Sequence, residues 1–138
     1  MSVEMEIQYL GQLQCQALHS PSQTVITTEA PKDNGGLGRS FSPTDLMASS
    51  LGACMLTIMA LSAKKEGISI DGTKIKLTKE MASKPVRKIA SIKVKMSVPN
   101  SQHFTAKQKE LLEYAARNCP VQKSIEPSIH VPLEIEFA

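Results

Sequence analysis

The stretch Pro43-Thr-Asp-Leu-Met-Ala-Ser-Ser-Leu-Gly-Ala-Cys-Met-Leu-Thr-Ile-Met-Ala-Leu-Ser-Ala-Lys-Lys-Glu66 decides how this chain folds. Ser42 and Pro43 are typical of a helix start, with Ser42 as the N-cap and Pro43 at the first helical position. Asp45 suits the positive end of the helix, and the two lysines before Glu66 suit its negative end. The 18 residues from 46 to 63 carry no charge, so this helix needs cover on nearly every side.

The bulk composition is that of one ordinary globular domain, residues 1–138, with 41% hydrophobic and 21% charged residues. A net charge of +3 and only 4% aromatic residues do not support nucleic-acid binding. The uncharged run is long enough to cross a membrane. It also contains serines, a threonine and a glycine, and soluble strand patterns flank it, so a buried core helix is the better interpretation and no membrane partner is expected.

The compartment can be inferred from the first residues and the cysteines. Glu4 and Glu6 interrupt the N-terminus, which has no apolar segment typical of a signal peptide. Three cysteines, an odd number, favour a reducing environment, and we expect a cytoplasmic protein. A disulfide in such a protein would be a transient step in chemistry.

Before the central helix, alternation of apolar and polar residues predicts three strands. They cover residues 3–9, 12–17 and 24–28, with turns at Gly11 and around Pro21, and should form an antiparallel meander. Residues 30–42 form a loop with three glycines. No Gly-Lys-Ser/Thr ending follows them, so the loop does not predict phosphate binding.

After the central helix, the pattern predicts a strand that begins at Ile68 and Ile70, is irregular near Gly72 and continues to residue 78. A second strand covers 91–98. Thr105 and Gln108 match a capping box, which opens a helix that ends near residue 118. Cys119-Pro120 breaks that helix and could start a short third one, and residues 129–137 alternate as a last strand.

The resulting fold class is α+β, with the order βββ-α-ββ-α-β and an antiparallel sheet wrapped around the buried central helix. One sheet cannot cover a helix that is apolar all round. A second copy of the chain could supply the missing cover, so an intertwined homodimer is predicted.

Two of the three cysteines are candidates for chemistry. Cys54 lies in the middle of the uncharged helix, and Cys119 precedes a proline at a predicted helix start, where free amides favour a thiolate. Cys15 lies on the apolar face of a strand and is interpreted as a core residue. Structural zinc needs about four ligands at close spacing. The separation of 65 residues between Cys54 and Cys119, and the scattered histidines, do not fit it, so neither a metal nor a cofactor is expected.

Three segments together carry a family resemblance. Ser42-Pro43-Thr44-Asp45-Leu46, then Ala-Ser-Ser-Leu-Gly-Ala-Cys54-Met, and later Asn118-Cys119-Pro120-Val121 resemble the OsmC/Ohr family of osmotically inducible and organic hydroperoxide resistance proteins. The segments His19-Ser20-Pro21-Ser22 and Asp33-Asn34-Gly35-Gly36 resemble its generic OsmC-like branch. The likeness extends over essentially the whole chain.

The resemblance implies a thiol-dependent peroxidase that reduces organic hydroperoxides. Cys54 would be the peroxidatic residue, oxidised to a sulfenic acid, and Cys119 the resolving residue that forms a disulfide with it. A lipoyl-type or thioredoxin-type dithiol would reduce that disulfide. The alternative is a non-enzymatic OsmC-like protein that binds a small apolar ligand.

The sequence departs from the family in the charges that support the thiolate. The family's glutamate, ten residues before the cysteine, is replaced by Thr44. Asp45 is the neighbouring acid, but nine residues of helix place it on the opposite face and about 14 Å away along the axis. It is therefore a helix-capping charge, unless a partner copy brings it to Cys54. Arg39 and His19 are the candidates for the family's arginine, and each could equally be a solvated loop residue.

Overall fold

The structure, a computed structural model, describes residues 1–138 and divides into two compact units, Met1–Met47 and Ala48–Ala138. Strands and helices follow in the order βββ-α-ββ-α-α-β, in which the second of the adjacent helices is a short one. This confirms the predicted α+β class, including the short third helix that Pro120 begins. Whether the two units act as one domain stays a prediction.

The first unit contains a three-stranded antiparallel sheet of β1 (Met5–Gly11), β2 (Gln14–His19) and β3 (Thr24–Glu29). The predicted meander is therefore confirmed. Gln12 and Leu13, predicted to belong to the second strand, instead lie in the turn after Gly11, with φ of 52° and 62°. The positive φ values at Gly11, Gln12 and Leu13 allow the tight reversal between β1 and β2.

The glycine loop between β3 and the central helix makes one close backbone approach. It contains a short 3₁₀ turn, Lys32–Asn34, followed by Gly35 with φ of 85°. A Cβ at Gly36 would lie 1.7 Å from the carbonyl oxygen of Ala30, so only glycine fits there. The loop is a compact structural element of the first unit.

The central helix α1 covers Pro43–Lys65, as the sequence predicted. Its start is a reciprocal cap, because the Asp45 amide donates to Ser42 Oγ at 3.1 Å and the Ser42 amide donates to the Asp45 carboxylate at 2.9 Å. Its length and composition would allow it to cross a membrane, although a buried core helix meets the same criterion.

Burial of α1 is one-sided within a single chain. The buried residues recur at helical spacing and comprise Ala48, Leu51, Gly52, Met55, Met59 and Ala63. On the other side Ala53, Thr57 and Ala60 are exposed, and Leu61 retains 54% of its accessible surface. The expectation that one chain's sheet leaves part of this helix uncovered is met.

The second unit contains a sheet of β4 (Lys74–Ala82), β5 (Lys88–Val98) and β6 (Leu133–Phe137) in the order β4-β5-β6. β4 and β5 are antiparallel, but β6 runs parallel to β5, so the prediction of a purely antiparallel sheet is wrong for β6. The physical reason is the long connection from β5 to β6, which includes the helices α2 (Ala106–Arg117) and α3 (Pro120–Ser124). A helical crossover lets the next strand start from the same end of the sheet.

Two strand boundaries also differ from the sequence prediction. Ile68 and Ile70 precede β4 without pairing, because the Ile70 carbonyl accepts the amide of Thr73 in a turn and Gly72 has φ of 83°. At the other end, His130 makes only an isolated bridge, and β6 begins after Pro132, which has no amide hydrogen to donate.

Packing of α1 on β4 explains the glycine in the helix. A Cβ at Gly52 would approach Leu77 Cδ1 to 2.9 Å, so the helix lies close to the strand at this point. Buried residues of β5 complete the core of the second unit; they are Ile89, Ile92, Val94, Met96 and Val98. The alternating lysines Lys93 and Lys95 remain exposed.

Candidate functional site: a pair of thiols

The second unit brings Cys54 and Cys119 together. Cys54 lies in the middle of α1 and is half-buried, whereas Cys119 caps the start of α3 and has no exposed surface. The two side chains are close enough for Cys54 to act on the Cys119 thiol, and they are not joined by a disulfide. The structure therefore juxtaposes two residues that are 65 positions apart in the sequence.

Two opposing influences act on the Cys119 thiol. The amide of Gln122 donates to its sulfur at 3.5 Å and favours the thiolate. Burial has the larger effect, and together with the neighbouring Cys54 it raises the pKa of Cys119 above its usual value. The prediction that the helix start makes Cys119 a stabilised thiolate is therefore wrong, because desolvation outweighs the amides.

The two sulfurs differ in burial and in how firmly they hold a proton. Cys119 keeps its proton and can donate it towards the sulfur of Cys54. Cys54 is the sulfur that solvent can reach. A disulfide between them would have an S–S bond of about 2.05 Å and would require the Cα atoms to lie within about 7 Å. The pair can therefore cycle between two thiols and a disulfide.

Cys15 lies outside this pair, in the first unit. It is on β2, opposite Tyr9 of β1 and Thr28 of β3, and is half-buried. Among all residues, no three His, Cys, Asp or Glu side chains are arranged to hold a metal ion.

The first unit contains an ion pair between a buried glutamate and an exposed arginine that the sequence pattern did not reveal. Glu29, at the end of β3, is only 1% exposed, and its carboxylate accepts the backbone amide of Arg39 at 2.7 Å. The guanidinium of Arg39 donates Nη2 to the same carboxylate at 2.7 Å, and Gln14 donates its amide at 3.2 Å. In the sequence, the one indication of this ion pair is a single glutamate at the end of a strand of β-branched residues, ten positions before the only arginine in the glycine loop.

These hydrogen bonds, above all those from the Arg39 side chain, lower the pKa of Glu29 from 4.5 to about 2. A carboxyl group with a lowered pKa in the folded state stabilises the protein at neutral pH, and this contribution is lost as the pH falls. The Glu29–Arg39 ion pair therefore attaches the glycine loop to the end of β3, and its contribution to stability is lost at acidic pH.

A Glu29→Gln variant should show a weaker dependence of thermal stability on pH than the wild type. Between pH 4.5, the ordinary pKa, and about 2, the pKa in the fold, the wild type progressively loses the ion pair, whereas glutamine has no charge to lose. Melting temperatures measured by circular dichroism across this range test the prediction. Glu6→Gln, at an exposed position of β1, is the matched control, and identical pH profiles for wild type and Glu29→Gln would contradict it.

The remaining predicted site residues make local contacts within the first unit. His19 Nδ1 is 2.6 Å from the hydroxyl of Ser22 in the turn between β2 and β3. Thr44 Oγ1 is 3.2 Å from Ser42 Oγ, and Asp45 is part of the helix cap, as the helix geometry predicted. Arg39 is bound to Glu29 and is not a freely solvated loop residue.

With this geometry described, comparison with known proteins identifies the family. A family model described as "OsmC-like protein" matches residues 35–134, a range that includes both Cys54 and Cys119. This chain belongs to the OsmC-like protein family. A search of curated proteins found no match.

Solved structures of OsmC-like proteins share the fold over nearly the whole chain. A protein of Psychrobacter arcticus 273-4, described as a candidate osmotic stress induced and detoxification response protein, is 38% identical, with a TM-score of 0.90 over 99% of this chain and 96% of that one. The organic hydroperoxide resistance protein OhrB of Bacillus subtilis is 19% identical, with a TM-score of 0.73 over 99% and 98%. An organic hydroperoxide resistance protein of Legionella pneumophila is 16% identical, with a TM-score of 0.77 over 99% and 97%.

Proposed function

We propose that this OsmC-like protein is a thiol-dependent peroxidase that reduces organic hydroperoxides in oxidative-stress defence. The observation that carries the proposal is that the half-buried Cys54 lies beside the fully buried Cys119. The names of the Bacillus and Legionella proteins, which share the fold, support the same chemistry.

In the first step, the Cys54 thiolate attacks the distal oxygen of the hydroperoxide. The O–O bond breaks, the alkoxide takes up a proton and leaves as an alcohol, and Cys54 becomes a sulfenic acid. The apolar residues around Cys54 on α1 favour an organic peroxide over hydrogen peroxide. Arg39 or His19 is proposed as the source of the cation that supports the thiolate. Asp45, with Thr44 beside it, would act as a supporting residue only from a second copy of the chain, because within one chain it lies on the opposite face of α1 from Cys54.

In the second step, the Cys119 thiol attacks the sulfenic sulfur. The S–O bond breaks, the hydroxyl leaves with the thiol proton as water, and the Cys54–Cys119 disulfide forms. A dithiol reductant of the lipoyl or thioredoxin type then exchanges with this disulfide, returns both cysteines to thiols and is itself oxidised to a disulfide. The reaction requires no metal and no cofactor.

We also propose that the working form is a cytoplasmic homodimer. Most of the exposed large apolar side chains lie in the unit Met1–Met47, including Met5, Ile7, Tyr9 and Phe41, and exposed apolar patches of this kind mark interaction surfaces. One side of α1, around the exposed Leu61, is also apolar and uncovered. A second copy of the chain would bury these surfaces, and light scattering coupled to size-exclusion chromatography measures whether it does.

The peroxidase proposal is tested by the consumption of cumene hydroperoxide in the presence of a dithiol. We expect the wild type to consume the peroxide and Cys54→Ser to lose this activity by at least about a thousandfold, since a serine hydroxyl is not ionised at neutral pH. Cys15→Ser is the matched control and should retain wild-type activity. Equal rates for wild type and Cys54→Ser would rule out the peroxidase and favour the non-enzymatic ligand-binding alternative.

A further inference from the structure

The second unit contains a cavity of about 330 Å³ that the peroxidase chemistry does not use. Its volume lies at the small end of ligand pockets, and is roughly that of ten water molecules. Its lining residues include the apolar Met55, Ile129 and Leu133 and the polar Arg117, Gln122 and His130. Such a combination suits a molecule with an apolar body and one polar group.

Arg117 is held in a defined orientation at this cavity. Its Nε and Nη2 donate to the Glu113 carboxylate at 3.0 and 2.9 Å, and Nη2 also lies 3.3 Å from the carbonyl of Leu133. The Nη1 group has no partner in the protein. One edge of the guanidinium is therefore fixed, while the other keeps donors for a ligand.

His130 and Gln122 provide two further polar groups whose side chains have no partner in the protein. Two hydrogen bonds to β5 fix the backbone of His130: its amide donates to the carbonyl of Ala90, and its carbonyl accepts from the amide of Ile92. The backbone of Gln122 is bound to the sulfur of Cys119. Neither side chain needs to break a bond within the protein to meet a ligand.

We propose that this cavity binds a small organic carboxylate, with the carboxylate held by Arg117 and His130 and the apolar chain on Met55, Ile129 and Leu133. The free Nη1 donors of Arg117 and an imidazole N–H of His130 match an anionic acceptor, and the planar guanidinium fits a carboxylate. The apolar residues distinguish this ligand from inorganic phosphate, which has no apolar body to bury. The ligand would contact Met55, which follows Cys54 in the sequence, and Gln122, whose amide donates to the sulfur of Cys119. The cavity therefore adjoins the cysteine pair.

The experiment is a titration of the reduced, full-length protein, labelled with ¹³C at the methionine methyl groups, with hexanoate as the probe and hexanol as the neutral comparison. We expect hexanoate to shift the Met55 signal, assigned by a Met55→Leu variant, and to bind at least about tenfold more tightly than hexanol, as a charge-assisted hydrogen bond predicts. Arg117→Gln and His130→Ala should each weaken hexanoate binding by about tenfold or more. Lys107→Gln, at an exposed position near the start of α2, is the control and should leave it unchanged.

Equal binding of hexanoate and hexanol, or no shift of Met55, would overturn the proposal. So would unchanged affinity in both Arg117→Gln and His130→Ala. If Arg117→Gln unfolds because it loses Glu113 and Leu133, the exposed His130→Ala variant decides the question alone. Because no peroxide is involved, this result is independent of whether Cys54 reduces hydroperoxides.

Discussion

A Cys119→Ser variant should reduce one equivalent of cumene hydroperoxide per chain at close to the wild-type rate and then turn over about ten to a hundred times more slowly. The first step needs only Cys54, which is half-buried and accessible to a peroxide. Serine keeps a hydroxyl donor at the position of the Cys119 thiol but cannot attack the sulfenic sulfur. The sulfenic acid on Cys54 should therefore accumulate until the external dithiol reduces it directly.

Stopped-flow kinetics and intact-protein mass spectrometry measure this outcome. Under single-turnover conditions the variant should gain one oxygen atom, whereas the wild type should lose two hydrogens on disulfide formation. Cys15→Ser should behave as the wild type in both measurements. Wild-type steady-state turnover in Cys119→Ser would show that Cys119 is not the resolving residue, even if Cys54 is peroxidatic.

An Ile7→Lys substitution should convert the proposed homodimer into a monomer. Ile7 is 66% exposed in the single chain and pairs across the sheet with Ala17, which in turn pairs with Ile26. This row is the middle of an apolar face that also includes Met5 and Tyr9. A lysine there would have to bury an unpaired charge on association, so we expect the dimer dissociation constant to rise by at least about a hundredfold.

Light scattering and sedimentation as a function of concentration measure the effect. Gln8→Lys places the same charge on the opposite face of β1, next to Gln16, and is the matched control. Circular dichroism checks that both variants keep their secondary structure. A wild type that is monomeric at all concentrations would contradict the homodimer itself, and an Ile7→Lys dimer as tight as the wild type would show that this face is not the interface.

Local patterns were sufficient for most of the secondary structure. The N-cap, Pro43 and the lysines marked α1 at both ends, and the Thr105–Gln108 capping box marked the start of α2. The alternation around Val94 and Met96 predicted β5 and the face that it buries. These features depend on neighbouring residues, so the sequence expresses them directly.

The candidate site was only partly predictable. The family motifs pointed to Cys54 and Cys119, and helix geometry placed Asp45 in a cap. The Glu29–Arg39 pair was missed because neither residue belongs to a motif and the loop that joins them has no periodicity. The polar groups around Arg117 were missed for a similar reason, since they come from α2, α3 and the segment before β6.

The sequence by itself determined the α+β class, the order of elements and the two cysteines worth testing, because each is encoded in short-range patterns. Only the tertiary structure decided that β6 runs parallel to β5, because strand direction depends on where the intervening helices lead the chain. It also decided that Cys119 has a raised pKa. Burial depends on residues from distant parts of the chain, and here it outweighs the local amides that favour the thiolate.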